Sequence, residues 1–406
     1  MAISTERQNP NGAMARPHNG ELRQQLIELR RHLHMYPEIG FEEIETSRHV
    51  REWLTERDFQ VHGPLAGTGF YVEIEGALPG PTLGYRSELD ALPSQDQKEA
   101  DYVSRNPGVA HLCGHDAHMS VACGVAMLLR ERREELHGTV RVFFQPNEEG
   151  SPTGAPFMIA DGILGDMEAV YAIHVDPTLP IGQFGLKEGA ITAACAPFMV
   201  TIDSGETGHS ARPHEVVDTV WLATQILNSL YQLLGRIHDA RRTAVITVCQ
   251  FRAGEALNVI PDHVRFAGTL RCIDRDAMRE LQRRMRRLVE AEGALNEADV
   301  QVEFKDVLPP VINDGACIDH AREAIRALRG DDAVRELRES SMGGEDFSYY
   351  LERIPGAMIR VGTAEDIATR FPLHHAKFDI AEAALPLAVN VMTETLLRHG
   401  AGTSTT

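Results

Sequence analysis

The chain has 406 residues, 43% hydrophobic and 24% charged, with a formal net charge of −19. That length accommodates two domains, or one domain carrying a large insertion, with a core of good size. The negative charge argues against nucleic acid or an anionic membrane as a partner, and no apolar run reaches the roughly 18 residues that a membrane span requires. Residues 1–19 have neither the apolar core nor the layout of a signal peptide and read as a disordered tail. Apolar positions at helical spacing (Leu22, Leu26, Ile27, Leu29, Leu33) predict an amphipathic helix over 20–37, stopped by Pro37, and a second helix over 41–57. Short β-rich runs follow at 69–76 and 81–90, then a helix from about 117 to 135, a buried strand TVRVFFQP (139–146), a helix over 153–162 and a strand AVYAIHV (169–175). Strands alternating with helices predict an α/β sheet domain.

The pattern changes over 195–306. A strand (CAPFMVTIDS), a long helix, two consecutive strands (RTAVITVCQFRA and HVRFAGTLRC), a helix with an Asp start at Asp274 and a Gly stop at Gly293, and a last strand (DVQVEFKD) give the order β-α-β-β-α-β. The stretch is self-contained and sits between two α/β segments. We therefore divide the chain into an α/β domain at 20–192 and 306–400 and an inserted domain at 193–305. The α/β pattern resumes with a helix over 315–329, a glycine turn at 343–344 and a strand AMIRVG (357–362), and the tail 401–406 reads as disordered. Six cysteines at 113, 123, 195, 249, 272 and 317 form no C-x-x-C pair, which predicts a reducing, cytoplasmic setting.

Three histidines, a cysteine and an aspartate crowd into HLCGHDAHM (111–119). These residue types bind zinc, manganese and similar ions, but spacing alone does not choose among the five candidates. Gly114 predicts a bend across which Cys113 and His115 can face one side. NEEG (147–150) follows a predicted buried strand, at the kind of strand end where α/β sheets place ligand sites. Adjacent side chains point in different directions, so one glutamate of the pair can hold a metal while the other serves as a general base. His174 ends another apolar strand, His374 and His375 lie in PLHHAKFD, and His209 lies in a Gly-rich turn of the insertion. Each of these is weak alone.

Together they resemble the metal-dependent aminoacylases and carboxypeptidases, in the subgroup of hippurate hydrolases and indoleacetyl-amino-acid hydrolases. The resemblance runs from about residue 21 to 397 and is carried by HMYPEIGFEE (34–43), YRSELDALP (85–93), HLCGHDAHM, FFQPNEEG (143–150), AIHV (172–175), GHSARPH (208–214), NVIPD (258–262), GTLR (268–271), GGEDFSYY (343–350) and PLHHAKFD (372–379). It implies an α/β catalytic domain, with a central mixed sheet flanked by helices, and an inserted ferredoxin-like lid or dimerisation domain. It implies metal ligands at Cys113, His115, Glu149, His174 and His374, a general base at Glu148, and supporting roles for Asp90 and Asp116 in orienting a ligand histidine. His209 and Asn258 match lid residues that polarise the scissile carbonyl, often across a dimer. Five protein ligands suit two divalent ions, manganese or zinc, with cobalt or nickel usable in vitro. The implied reaction is metal-assisted amide hydrolysis, with Glu148 passing a proton from water to the leaving amine.

The chain departs from the family pattern in places. Glu88 replaces the first aspartate of R-A-D-M-D-A-L-P, the stretch 94–110 lacks the usual I-x-E, and NEEG stands for A-E-E-G. Arg212 and Arg360 occupy positions where a small or apolar residue is usual, and Arg360 could serve as a planar fork for a substrate carboxylate. These changes spare the metal ligands and bear on the substrate. The expected activity is hydrolysis of an N-acyl amino acid or related small aromatic acid. Hydrolytic deamination of an aromatic acid at the same metal site, or a binding protein that kept the fold without catalysis, are the alternatives; full retention of the ligands and Glu148 disfavours the last.

Overall fold

The structure is a computed structural model and describes residues 19–366 and 370–402. Almost all of the two tails read as disordered lies outside the described residues; Asn19 already belongs to the first helix. That helix, α1 (Asn19–Met35), buries Leu26, Leu29 and Leu33 along one face, and α2 (Ile44–Thr55) buries Val50, Trp53 and Leu54. A hairpin of β1 (Val61–Leu65) and β2 (Gly69–Glu75) leads to β3 (Leu78–Glu88), α3 (His115–Glu131), β4 (His137–Gln145), the short α4 (Ala155–Ala160) and β5 (Met167–Pro180). After β6 (Phe184–Leu186) and β7 (Gly189–Ala190) come β8 (Ala194–Asp203), β9 (Gly208–His209), α5 (Thr219–Arg236), β10 (Ala244–Ala253), β11 (Val259–Ile260), β12 (His263–Cys272), α6 (Arg275–Leu295) and β13 (Asp299–Phe304). The chain returns through β14 (Ile312–Asn313), α7 (Gly315–Arg329), β15 (Val334–Glu336), α8 (Ser348–Leu351), β16 (Gly356–Ala364) and α9 (Ala384–Gly400).

The main sheet has eight strands in the order β1-β2-β4-β3-β5-β16-β6-β15. Its centre is parallel, with β4, β3, β5 and β16 side by side, and antiparallel pairs flank it at β1–β2, β2–β4 and β16–β6, so the expected mixed sheet is present. Period-2 alternation divides each central strand between two cores. Tyr171 and Ile173 of β5 join a core with residues of α1, α3, α7 and α9, while Val170 and Ala172 join the opposite core beside Met158 of α4 and Tyr350 of α8. Burial on both faces explains the near-continuous apolar runs of β4, β5 and β16.

Residues 194–304 build a four-stranded antiparallel sheet in the order β10-β12-β8-β13, with α5 and α6 packed on it over a separate core that includes Val200, Ile226, Phe266 and Leu281. The observed order of the main elements is the expected β-α-β-β-α-β. Asp274 caps α6 as its sequence position predicts, its carboxylate accepting from the Ala277 N–H at 2.7 Å. Gly293, however, does not stop the helix, which continues to Leu295. A Cβ at Gly293 would lie 2.9 Å from Val300 Cγ2, so this glycine lets α6 pack tightly on β13. The parallel strands β3, β4 and β5 bring Glu88, Gln145 and His174 to one end of the main sheet, and the loops beyond them carry the chemistry.

Candidate metal centre

The turn that begins α3 is set by Gly114, whose φ is 88° and whose added Cβ would fall 2.4 Å from Val175 Cγ2. Only glycine fits that backbone and that gap. It releases Cys113 from the helix and starts α3 at His115. The His115 Nδ1–H donates to the Asp90 main-chain carbonyl at 2.9 Å, with Asp90 Oδ1 3.3 Å away. The Nδ1–H of His174 likewise donates to the Val175 carbonyl at 2.8 Å. Both rings are thereby fixed through Nδ1: His115 Nε2 has no hydrogen-bond partner among the described residues, and His174 Nε2 faces Cys113 Sγ, an arrangement suited to metal-binding histidines. His374, at φ 65°, is tied to the same loop by its N–H donating to the Leu112 carbonyl at 2.8 Å.

Cys113 Sγ lies 3.5 Å from His174 Nε2 and 3.4 Å from His374 Nε2, and Glu149 Oε1 lies 3.2 Å from His374 Nε2. Cys113, His115 and Glu149 place donor atoms within 4.8 Å of one another. The five expected ligands, from four separate segments, are thus brought together. The set fits a divalent metal: buried His115 Nε2 and Glu149 Oε1 have no hydrogen-bond partner among the described residues, and a thiol, three imidazoles and a carboxylate suit zinc-like ions.

Glu148 Oε2 is 4.0 Å from His115 Nε2, and its carboxyl also clusters with those of Glu345 and Asp346, with oxygens within 4.8 Å of one another. Burial first, then Glu345 and Glu149, push the Glu148 carboxyl well above the usual carboxylate range. Burial works against charge on His115, yet the carboxylates of Asp90, Glu88 and Glu149 hold it up at about 10. Burial and the Arg360 charge hold His174 well below the ordinary histidine range. Asp90 also accepts the Glu149 N–H at 2.9 Å, so one side chain fixes two of the convergent residues.

Asp116 differs from expectation. Its carboxylate accepts from Arg30 Nε and His34 Nδ1, both at 2.7 Å, behind the site, and no direct contact joins it to a ligand histidine. His118 is fully engaged: its Nδ1–H donates to Glu88 at 3.0 Å and its Nε2 accepts the Val175 N–H at 3.0 Å. Glu88 also pairs with buried Arg86, which reaches Asp346 at 2.6 Å and Glu345 at 3.2 Å. The longer glutamate thus serves a histidine and an arginine at once. Asn147 of NEEG fits because Gly40 and Gly150 face it; a Cβ at either would fall 1.7 or 2.1 Å from Asn147 Oδ1.

A cavity of 610 Å³ opens on Cys113, Glu148, Glu149, His174 and His374. Arg360 lines it, as do Arg271, Glu345 and Tyr349, for which the sequence reading names no role. The acidic pair after the glycines of GGEDF was the available signal for Glu345. His209, Asn258 and Arg212 do not line this cavity. They lie together on the surface of the inserted unit, where His209 pairs with Val259, the Ser210 N–H donates to the Asn258 carbonyl at 3.1 Å, and Arg212 faces Glu215 at 3.5 Å.

The sequence profile of peptidase family M20/M25/M40 matches residues 84–398. The chain belongs to this family. It is 38% identical over 374 residues to the N-acetylcysteine deacetylase of Bacillus subtilis, covering 91% of this chain and 95% of that protein. It is 34% identical over 381 residues to the IAA-amino acid hydrolase ILR1-like 4 of Arabidopsis thaliana, covering 92% and 85%. The crystal structure of the YXEP protein of Bacillus subtilis, described as a dinuclear metal binding peptidase from the M20 family, superposes with a TM-score of 0.83 at 34% identity, covering 94% of this chain and 99% of that one. This M20 chain is therefore a metallo-amidohydrolase that acts on carbon–nitrogen bonds. No helix among its described residues is long and apolar enough to cross a membrane.

Proposed function

We propose that this M20 protein hydrolyses the amide C–N bond of an N-acyl amino acid, or of a related small aromatic acid, at a centre of two divalent ions, manganese or zinc. One observation carries the reading: Cys113, His115, Glu149, His174 and His374 converge beside Glu148 on the wall of one cavity. The similarity to an N-acetylcysteine deacetylase and an IAA-amino acid hydrolase supports the substrate class. The five convergent residues would hold the ions, which when bound polarise a carbonyl and acidify water. Glu148 takes the proton of the attacking water and delivers it to the leaving nitrogen. Asp90 keeps His115 in the tautomer that leaves Nε2 free.

His209 and Asn258 lie away from the cavity of their own chain, so their role as donors to the scissile carbonyl calls for a second copy whose inserted unit reaches across. We assign residues 193–305 as that lid and dimerisation domain, and 20–192 with 306–400 as the catalytic domain of a cytoplasmic homodimer or higher homo-oligomer. The edge position of β10 supports the assembly: among the described residues this ten-residue strand pairs with a strand on one side alone, and it exposes Val245 and Phe251. Glu148→Gln is expected to keep metal content and fold and to lower kcat by about 10²–10⁴; turnover within tenfold of wild type sinks the base assignment. A screen of N-acyl amino acids with added manganese or zinc tests the substrate class. Free amino acid is the expected product, whereas ammonia released from an aromatic amino acid instead moves the reaction to deamination.

A further inference from the structure

Arg360 interrupts β16, a strand whose other eight residues are all buried. It is paired with His174 across the parallel β16–β5 ladder and with Gly185 across the antiparallel β16–β6 ladder. A Cβ at Gly185 would lie 3.0 Å from Arg360 Cβ, so the glycine makes room for the arginine stem. The partly buried side chain lines the metal-centre cavity and also an adjoining cavity of 800 Å³, at the boundary that Ser341 and Leu373 share. Asp176 and Glu339 line the adjoining cavity, but among the described residues Arg360 forms no ion pair and no hydrogen bond. Arg86, by contrast, is bound to three carboxylates and a glutamine.

A guanidinium holds its charge at every accessible pH and presents a planar fork of donors that matches a carboxylate. Partial burial strengthens that attraction relative to water and makes an unfilled fork costly. The cavity has a second guanidinium, Arg271 of β12, with one nitrogen donating to the Met342 carbonyl at 2.7 Å. Two guanidinium groups from different units of the fold match a substrate with two negative groups better than one with a single carboxylate.

We propose that Arg360 is a specificity-determining residue that receives a second carboxylate of the substrate, so that the site prefers N-acyl amino acids carrying two carboxylates. The proposal rests on the amide-hydrolase reading for the kind of molecule that enters, and its test separates the two. Binding is measured by calorimetry in the metal-loaded Glu148→Gln protein, with N-acetyl-leucine, N-acetyl-glutamate and N-succinyl-leucine as probes. One of the two dicarboxylates is expected to bind about ten- to a hundredfold more tightly than N-acetyl-leucine, the range for a charged hydrogen-bonded pair. Preference for N-succinyl-leucine puts the acidic group on the acyl side, and preference for N-acetyl-glutamate puts it on the amino-acid side. Adding Arg360→Leu is expected to bring the affinity ratio to within threefold of one, and Arg360→Lys to leave an intermediate ratio. Absence of a dicarboxylate preference, or a preference that survives Arg360→Leu, overturns the proposal. A preference that Arg360→Leu abolishes, found in a protein whose wild type hydrolyses none of the three, upholds it and counts against amide hydrolysis alone.

Discussion

Replacing Asp90 by asparagine tests whether the ligand residues are held from behind. The Asp90 side chain lies 3.3 Å from His115 Nδ1 through one oxygen and accepts the Glu149 N–H at 2.9 Å through the other. Its backbone carbonyl, 2.9 Å from the same Nδ1, survives the substitution and keeps the His115 tautomer. Asparagine preserves the shape and one acceptor but removes the negative charge and turns the second oxygen into a donor. Either the Glu149 N–H or the His115 Nδ1–H then faces an amide N–H. Loss of such an outer partner weakens metal binding by about 10–100-fold, and the surviving carbonyl places this case near the lower end, about tenfold or ~1.4 kcal/mol. The assay is competition with a chelator of known affinity, alongside thermal unfolding of the metal-free protein. An Asp90→Asn protein that binds manganese or zinc within twofold of wild type would show that the backbone carbonyl alone positions His115, and the reasoning would fail.

Other perturbations follow from the same geometry. Arg86 is buried against Glu88, Glu345 and Asp346, so Arg86→Met should destabilise the fold by about 3–5 kcal/mol, as when one partner of a buried ion pair is removed, read from urea unfolding; a loss under 1 kcal/mol contradicts it. Gly114→Ala forces a side chain into the left-handed region and onto Val175; the backbone term alone is about 1–3 kcal/mol, and metal content should fall with the displaced loop. Burial holds His49 and His399 down at about 4, helped by their neighbours His32 and His320. A histidine depressed below its unfolded value of 6.5 contributes stability that is complete above that pH and lost as pH falls from 6.5 towards 4. Glu43, raised to about 7 by burial, acts in the opposite sense, its contribution being lost as pH rises through 7. Metal-free protein should therefore lose more Tm between pH 7 and pH 5 than the His49→Gln/His399→Gln double variant, and equal losses would contradict the assignment.

Elements whose apolar residues follow one period are legible in the sequence. The helix expected over 315–329 is α7 with the same bounds, and the four strands of the second sheet stand where alternation and β-branched residues place them. Legibility fails where tertiary contact overrides the local rule. Gly293 reads as a stop, yet Val300 beneath it makes a glycine useful inside the helix. α9 is apolar around much of its circumference because it packs against α3, α7 and the sheet, so no single stripe marks it. β6 and β15 are three residues each, and their pairing joins segments about 150 positions apart.

The site divides along the same line. Residue types and motif order point to Cys113, His115, Glu149, His174 and His374, and the folded chain brings them together. What sequence spacing does not carry is which neighbour each polar group finds. Asp116 sits in the metal-binding nonapeptide, one residue from His115, but at the start of a helix successive side chains diverge by about 100°. Its carboxylate therefore turns towards Arg30 and His34, more than 80 positions earlier. Glu88 looks like a conservative replacement of aspartate, yet the added methylene spans from His118 to Arg86 and links the metal-binding helix to the loop that carries Glu345 beside Glu148. Arg360 shows the reverse: its oddity in an apolar strand is visible in the sequence, but its direction is not. Only the pairing of β16 with β5 and β6 puts it beside His174, opposite a glycine and at the meeting of two cavities. The five convergent residues are the ligands we propose, and the arginine beside them is the residue we propose to choose among the molecules that enter.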